Sequence, residues 1–191
     1  MSERSGAGVR AIDHVGVTVP DIEEAARFFA EALGAEPLYE MAPSQPPTEE
    51  NLALERAQLG TRPGTRWRGA LMMRLGDGPC IELFDYEDPD PRPAVTPTDL
   101  GVQHFAIYVD DIDAVKERMV AAGATAMEGP SSLNGPEAGE GNQWLYVQAP
   151  WGGVIELVTY PSPQPWEQTT SLRRWKPAPA GALTSDRKES P

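Results

Sequence analysis

Two stretches of this chain spell nearly the same pattern ninety positions apart. Residues 12–22 read IDHVGVTVPDI and residues 102–112 read VQHFAIYVDDI, so His14 falls on His104, Val19 on Val109, Asp21 on Asp111 and Ile22 on Ile112. A second echo follows at an offset of 74, where Ile81, Glu82, Leu83 and Tyr86 return as Ile155, Glu156, Leu157 and Tyr160. The chain has two histidines, and both occupy the same place in the repeat. An internal repeat constrains the fold more than local propensity does, because each copy must be one supersecondary unit that packs against its like. Each copy here offers one His and then one Glu on a strand-like run.

The first copy can be followed in order. Residues 11–19 alternate with period two, putting His14, Gly16 and Thr18 on one face and Asp13, Val15, Val17 and Val19 on the other. Pro20 stops the strand, and Asp21 with Glu24 three residues on predicts an N-cap with its capping box. Ile22, Ala25, Ala26, Phe29 and Leu33 follow at helical spacing, and Gly34 ends the helix. Residues 36–41 read as a short strand. The stretch 42–66 breaks the pattern with four prolines and two glycines, around a short helix expected from Leu52 to Leu59. An insertion of that length in a compact domain is a functional lid or a disordered loop. Strands are expected at 67–75 and 79–86, the second with Cys80, Glu82, Phe84 and Tyr86 on one face.

The second copy reads the same way. Its strand, 102–109, puts His104, Ala106 and Tyr108 on one face, and a helix over 111–122 is expected to bury Ile112, Val115, Met119 and Ala122. Residues 128–142 read as a flexible loop, and strands at 143–149 and 153–160 are joined by the turn Pro150-Trp151-Gly152-Gly153. The fold class is therefore α+β, built of paired βαβββ modules. Residues 1–10 read as an arm, 11–87 as module one with its long loop at 42–66, 88–100 as a linker and 101–160 as module two. The proline-rich tail is 161–191. Trp166, Leu172 and Trp175 are candidates to dock it on the domain, and 177–191 reads as disordered.

Charge and cysteine usage narrow the function classes. A net charge of −13 argues against nucleic-acid and anionic-membrane partners, which call for basic patches. The one cysteine, Cys80, permits no intrachain disulfide and fits a reducing compartment. No apolar leader and no membrane-length apolar run is present, so a cytoplasmic protein is expected.

If the modules pack about a pseudo-two-fold axis, His14 and His104 become symmetry mates, as do Glu82 and Glu156. Two neutral imidazoles and two carboxylates suit one divalent ion of the Zn, Ni, Co, Mn or Fe type. That ion would act as a Lewis acid on a substrate oxygen or activate bound water. The alternative is that duplication carried two structural residues into both modules.

With Ile12-Asp13-His14-Val15, Ile81-Glu82-Leu83, His104 before Val109-Asp110-Asp111-Ile112, and Ala149-Pro150-Trp151-Gly152-Gly153 before Ile155-Glu156-Leu157, the chain resembles the vicinal oxygen chelate superfamily. That group contains glyoxalase I, methylmalonyl-CoA epimerase, fosfomycin and bleomycin resistance proteins and extradiol dioxygenases. The resemblance covers roughly residues 11–160. It implies curled mixed sheets forming a cup around one metal, with His14, Glu82, His104 and Glu156 as its ligands.

Two His with two Glu look most like glyoxalase I and the epimerases, whose chemistry moves a proton beside a chelated oxygen through an enediolate. Glu156 or Glu82 is then the base. The resemblance thus implies a metal-dependent isomerase, epimerase or lyase acting on a small molecule. The alternatives are an Fe(II) oxygenase on the same scaffold and a non-catalytic small-molecule binding protein. The symmetry of the repeat also suggests a homodimer, and in the superfamily it resembles modules pair either within a chain or across chains.

Two features depart from a minimal glyoxalase, the 42–66 insertion and the Trp-bearing tail. Arg62, Arg66 and Arg68 are candidates to hold an anionic substrate group, or else belong to a solvated loop. Phe84, Tyr108, Trp144, Met73 and Trp151 are candidates to line the substrate pocket, or else belong to the core.

Overall fold

The computed structural model describes residues 11–178, so the arm at 1–10 and residues 179–191 of the tail lie outside the described residues. Module one runs β1 (His14–Thr18), α1 (Ile22–Leu33), β2 (Glu36–Met41), α2 (Glu49–Leu59), β3 (Arg66–Arg74) and β4 (Cys80–Glu87). Module two runs β5 (His104–Tyr108), α3 (Ile112–Ala121), β6 (Thr125–Ala126), β7 (Ser131–Ser132), β8 (Gln143–Gln148) and β9 (Val154–Thr159).

The sheets repeat one topology. Their orders are β1-β4-β3-β2 and β5-β9-β8-β6, with the short β7 also on β8. The helix crossover makes β1 parallel to β4 and β5 parallel to β9, while the hairpins are antiparallel. β1 and β5 each end their sheet, so among the described residues each leaves one unpaired edge.

The duplicated helices begin alike because their caps were duplicated. The Asp21 carboxylate accepts from the Glu24 amide at 2.9 Å, and Asp111 accepts from the Ala114 amide at 2.9 Å. Gly34 closes α1 with φ 68°, a left-handed position that suits glycine. The expected helix at 111–122 is shorter, and Ala122 is half-buried rather than buried. The second strand of module two shrinks to the two residues of β6. The loop expected to be flexible at 128–142 is tied down by fully buried Asn142. The Asn142 side-chain amide donates to the carbonyls of Glu137 and Ser162, and its oxygen accepts from the Ser162 amide.

The modules meet through their helices. α1 packs on α3, and the Arg118 guanidinium on α3 donates to the Ala32 carbonyl on α1 at 3.1 Å. Phe29, Ala32, Leu83, Met119, Val147 and Leu157 form one core across both modules, with Phe29 fully buried. Trp151 closes it, its ring 5.3 Å from Phe28 and 5.5 Å from Phe29. Residues with the parity of Val15, Ile81, Phe105 and Ile155 therefore turn toward the helices, and the His and Glu faces turn away from them. Phe29→Ala removes a ring from the densest part of this seam. We expect it to cost about 3–5 kcal/mol, read as a lower urea midpoint with an unchanged m-value.

Candidate metal centre and substrate cup

The strand register builds the site in two halves. Along β1 and β4, His14 pairs with Cys80 and Gly16 with Glu82, while along β5 and β9, His104 pairs with Val154 and Ala106 with Glu156. The same diagonal thus recurs in both sheets, and each His reaches the Glu beside it. His14 Nε2 stands 3.1 Å from Glu82 Oε2, and His104 Nε2 stands 3.3 Å from Glu156 Oε2. Two donors each about 2.1 Å from one ion stand roughly 3.0–3.4 Å apart at tetrahedral or octahedral angles. Both pairs therefore have the spacing of adjacent ligands. Among the described residues no group of three or more His, Cys, Asp or Glu side chains is placed to hold a metal ion, so the two His–Glu pairs stand apart within one chain.

The halves differ in their surroundings. His14 Nδ1 lies 2.9 Å from the Asp13 carboxylate. That bond, more than the nearby Glu82, holds the imidazole above its ordinary pKa, with burial opposing. The same contact fixes Nε2 toward Glu82, as an outer-shell carboxylate orients a ligating His. His104 Nδ1 is buried and meets no partner among the described residues. Glu156 is held above the usual carboxylate range, chiefly by burial, with His104 opposing. Gly16, opposite Glu82, lets the Phe84 ring lie close over β1, since a Cβ there would stand 3.3 Å from that ring.

The pocket candidates divide. Phe84 shares a cavity of about 460 Å³ with Glu82, roofed by the insertion. Trp144 lies on the Glu156 face of β8, its ring 5.0 Å from Tyr146. Tyr108 lies on the His104 face and donates to the Trp175 carbonyl at 3.0 Å. Met73 and Trp151 belong instead to the core. Met73 pairs with Ile81 on the helix side of its sheet, and Trp151 is held against α1. Met72 and Tyr146, absent from the sequence-based candidates, pair directly with Glu82 and Glu156. The Tyr146 ring also lies 5.0 Å from His104. Only the hairpin register reveals these neighbours.

The three arginines considered as anion anchors all face carboxylates. Arg62 pairs with Asp88, Arg66 stands 3.7 Å from Glu87, and Arg68 binds Asp85 at 2.7 Å. In the tail, Trp175 docks against Tyr108 while Leu172 stays exposed. Arg174 binds Tyr160 at 2.8 Å and Glu137 at 2.6 Å. A second cavity of about 440 Å³ lies at the module seam beside Trp175 and touches none of the four His and Glu residues.

Residues 13–143 match the family model described as the Glyoxalase/Bleomycin resistance protein/Dioxygenase superfamily. The chain belongs to that superfamily. Among solved structures, a glyoxalase family protein from Bacillus cereus aligns with TM-score 0.59 at 22% identity, over 81% of this chain and 98% of that one. A glyoxylase/bleomycin resistance protein/dioxygenase domain from Frankia sp. EAN1pec aligns with TM-score 0.57 at 18% identity, over 80% and 99%. These likenesses fix the superfamily fold. A 2-epi-5-epi-valiolone epimerase from Actinomyces sp. is 34% identical over 180 residues, 93% of this chain and 94% of that protein. This member of the superfamily is accordingly an enzyme of the epimerase type with a small-molecule substrate. No helix among its described residues is long and apolar enough to cross a membrane.

Proposed function

We propose that the protein is a divalent-metal-dependent epimerase of a polyhydroxylated cyclic ketone, with 2-epi-5-epi-valiolone as the first substrate to test. The observation that carries this reading is the duplicated His–Glu diagonal, with donor spacings of 3.1 and 3.3 Å, together with the epimerase relative that spans nearly the whole chain. His14, Glu82, His104 and Glu156 would hold one Zn, Ni, Co, Mn or Fe ion. Such an ion, when bound, supplies Lewis acidity to a ketone oxygen and its neighbouring hydroxyl, and so acidifies the intervening C–H.

The chain's own residues do the proton work. Inverting a carbon requires a proton removed from one face and returned to the other. Glu82 and Glu156 come from equivalent strands of the two modules, so a pseudo-two-fold site sets one on each side of the ring. One takes the proton from the carbon beside the ketone, and the other delivers a proton to the opposite face.

The donor set is completed by a second copy. Among the described residues β1 and β5 are unpaired edges, and each carries one of the histidines. An exposed edge is a ready template for another chain, and β1 of one protomer set beside β5 of its partner would join the two half-sets. A homodimer of this kind has two equal sites.

The test is proton NMR of 2-epi-5-epi-valiolone with metal-loaded protein in D2O. The expected result is deuterium at the carbon next to the ketone together with its epimer, both lost on chelation. Unchanged, unlabelled ketone in the presence of fully loaded protein would refute the reading.

A further inference from the structure

The insertion at 42–66 builds a helix that serves no core. α2 is capped by Thr48, whose hydroxyl accepts from the Asn51 amide, and it ends at Gly60, yet none of its residues is buried. Helices this short owe most of their stability to packing, and Leu54 and Leu59 remain about half exposed. What α2 does face is the cavity of about 460 Å³ over β3 and β4, which has Glu82 and Phe84 in its wall. One strut fixes the roof, since the Trp67 amide on β3 donates to Glu55 on α2 at 2.6 Å.

The lining has a definite chemical character. Trp67 and Phe84 offer flat aromatic surface and Leu52 an aliphatic one, while half-buried Asn51 and the exposed Gln45 and Gln58 offer uncharged donors and acceptors. Asn51 spends one donor on the Pro46 carbonyl. Charge at the cavity is two carboxylates, Glu55 and Glu82, against Arg66, which stands 3.7 Å from Glu87. Such a wall disfavours a phosphate or carboxylate on the substrate. An apolar floor with amides around it suits a ring whose carbons pack on aromatics and whose hydroxyls bond outward.

We propose that the 42–66 insertion is the specificity element of the site, and that Gln45 and Gln58 read the hydroxyls of an uncharged polyol ring seated against Phe84 beside Glu82. The inference rests on the epimerase reading for its substrate class. It assigns recognition to a segment distinct from the four His and Glu residues. Hydrogen bonds that only the polyol can make let such a segment tell it from an analogue that lacks the hydroxyls.

The experiment compares 2-epi-5-epi-valiolone with 2-hydroxycyclohexanone, which keeps the reacting oxygens but lacks the other hydroxyls. In the Gln45→Ala/Gln58→Ala double variant, kcat/KM for the polyol should fall about 10- to 100-fold, mainly through KM. Metal content and kcat/KM for 2-hydroxycyclohexanone should stay within about twofold of wild type. Equal losses on both substrates, or no loss on the polyol, would overturn the proposal. Wild-type protein that turns over neither compound would sink the epimerase reading instead. Calorimetry with the polyol then decides the inference separately. Binding that the double variant loses sustains it, and absent or unchanged binding overturns it.

Discussion

Glu156→Gln should lower kcat on the cyclic ketone by roughly 10²–10⁴-fold, the range for losing a positioned acid–base group, while the metal-free chain becomes no less stable. Glutamine keeps the shape of the side chain but can neither take a proton nor match a carboxylate as a ligand. The stability half follows from the sign of the shift. Burial raises the folded pKa of Glu156 above its ordinary value. A group so raised contributes stability that is fully present below the unfolded value and is lost as pH rises through the folded one. At neutral pH the ionised carboxylate is therefore a cost to the metal-free fold, and the amide removes it. Urea denaturation of metal-free wild type and variant should put the variant level or higher at pH 7.5, with the gap closing toward pH 4. A variant clearly weaker at pH 7.5 would mean that the His104 contact, 3.3 Å away, outweighs burial. Such a stability cost at a functional carboxylate is expected where activity needs a buried charge.

The parts of this molecule legible in the sequence are those governed by local chemistry or duplication. Asp21 and Asp111 announce their helices because an N-cap acts over three residues. His14 beside Glu82 and His104 beside Glu156 follow once β1 and β5 are taken as parallel neighbours of β4 and β9, since period-two alternation then fixes the shared face. Met73 escaped because β3 is buried on both sides from Gly69 to Met73, so apolar residues carry no face information there. A register shift between Trp67 and Gly69 adds to the ambiguity. Trp151 sits in a turn, and nothing local says that it packs 5.3 Å from Phe28. The arginines at 62, 66 and 68 looked available because their partners, Asp88, Glu87 and Asp85, become neighbours only when the hairpin closes. The insertion was legible as an exception but not as a roof, because its helix starts at Glu49, three residues earlier than its apolar pattern suggests.

Two inactive proteins should restore each other. If each site takes module one from one protomer and module two from its partner, a hybrid of His14→Ala and His104→Ala chains contains one site missing both histidines. Its other site is built from the two untouched modules and is whole. Random exchange of equal amounts makes half the dimers hybrid, each with one good site of two, so activity should climb from near zero to about one quarter of wild type. Metal content should rise in step, to about one quarter of the wild-type occupancy, since an ion held by the full set is bound far more tightly than one held by a His–Glu pair. Sites formed within single chains give the opposite result, because every site in every dimer then lacks one histidine and mixing changes nothing. Native mass spectrometry must first establish that the chains have exchanged. Exchange without recovery would overturn the cross-chain site and require the two sheets of one chain to swing together around the α1–α3 seam. That movement would disturb the seam where Arg118 donates to the Ala32 carbonyl and Trp151 packs on Phe29. The shared core therefore favours the partner's module over the chain's own as the second half of each site.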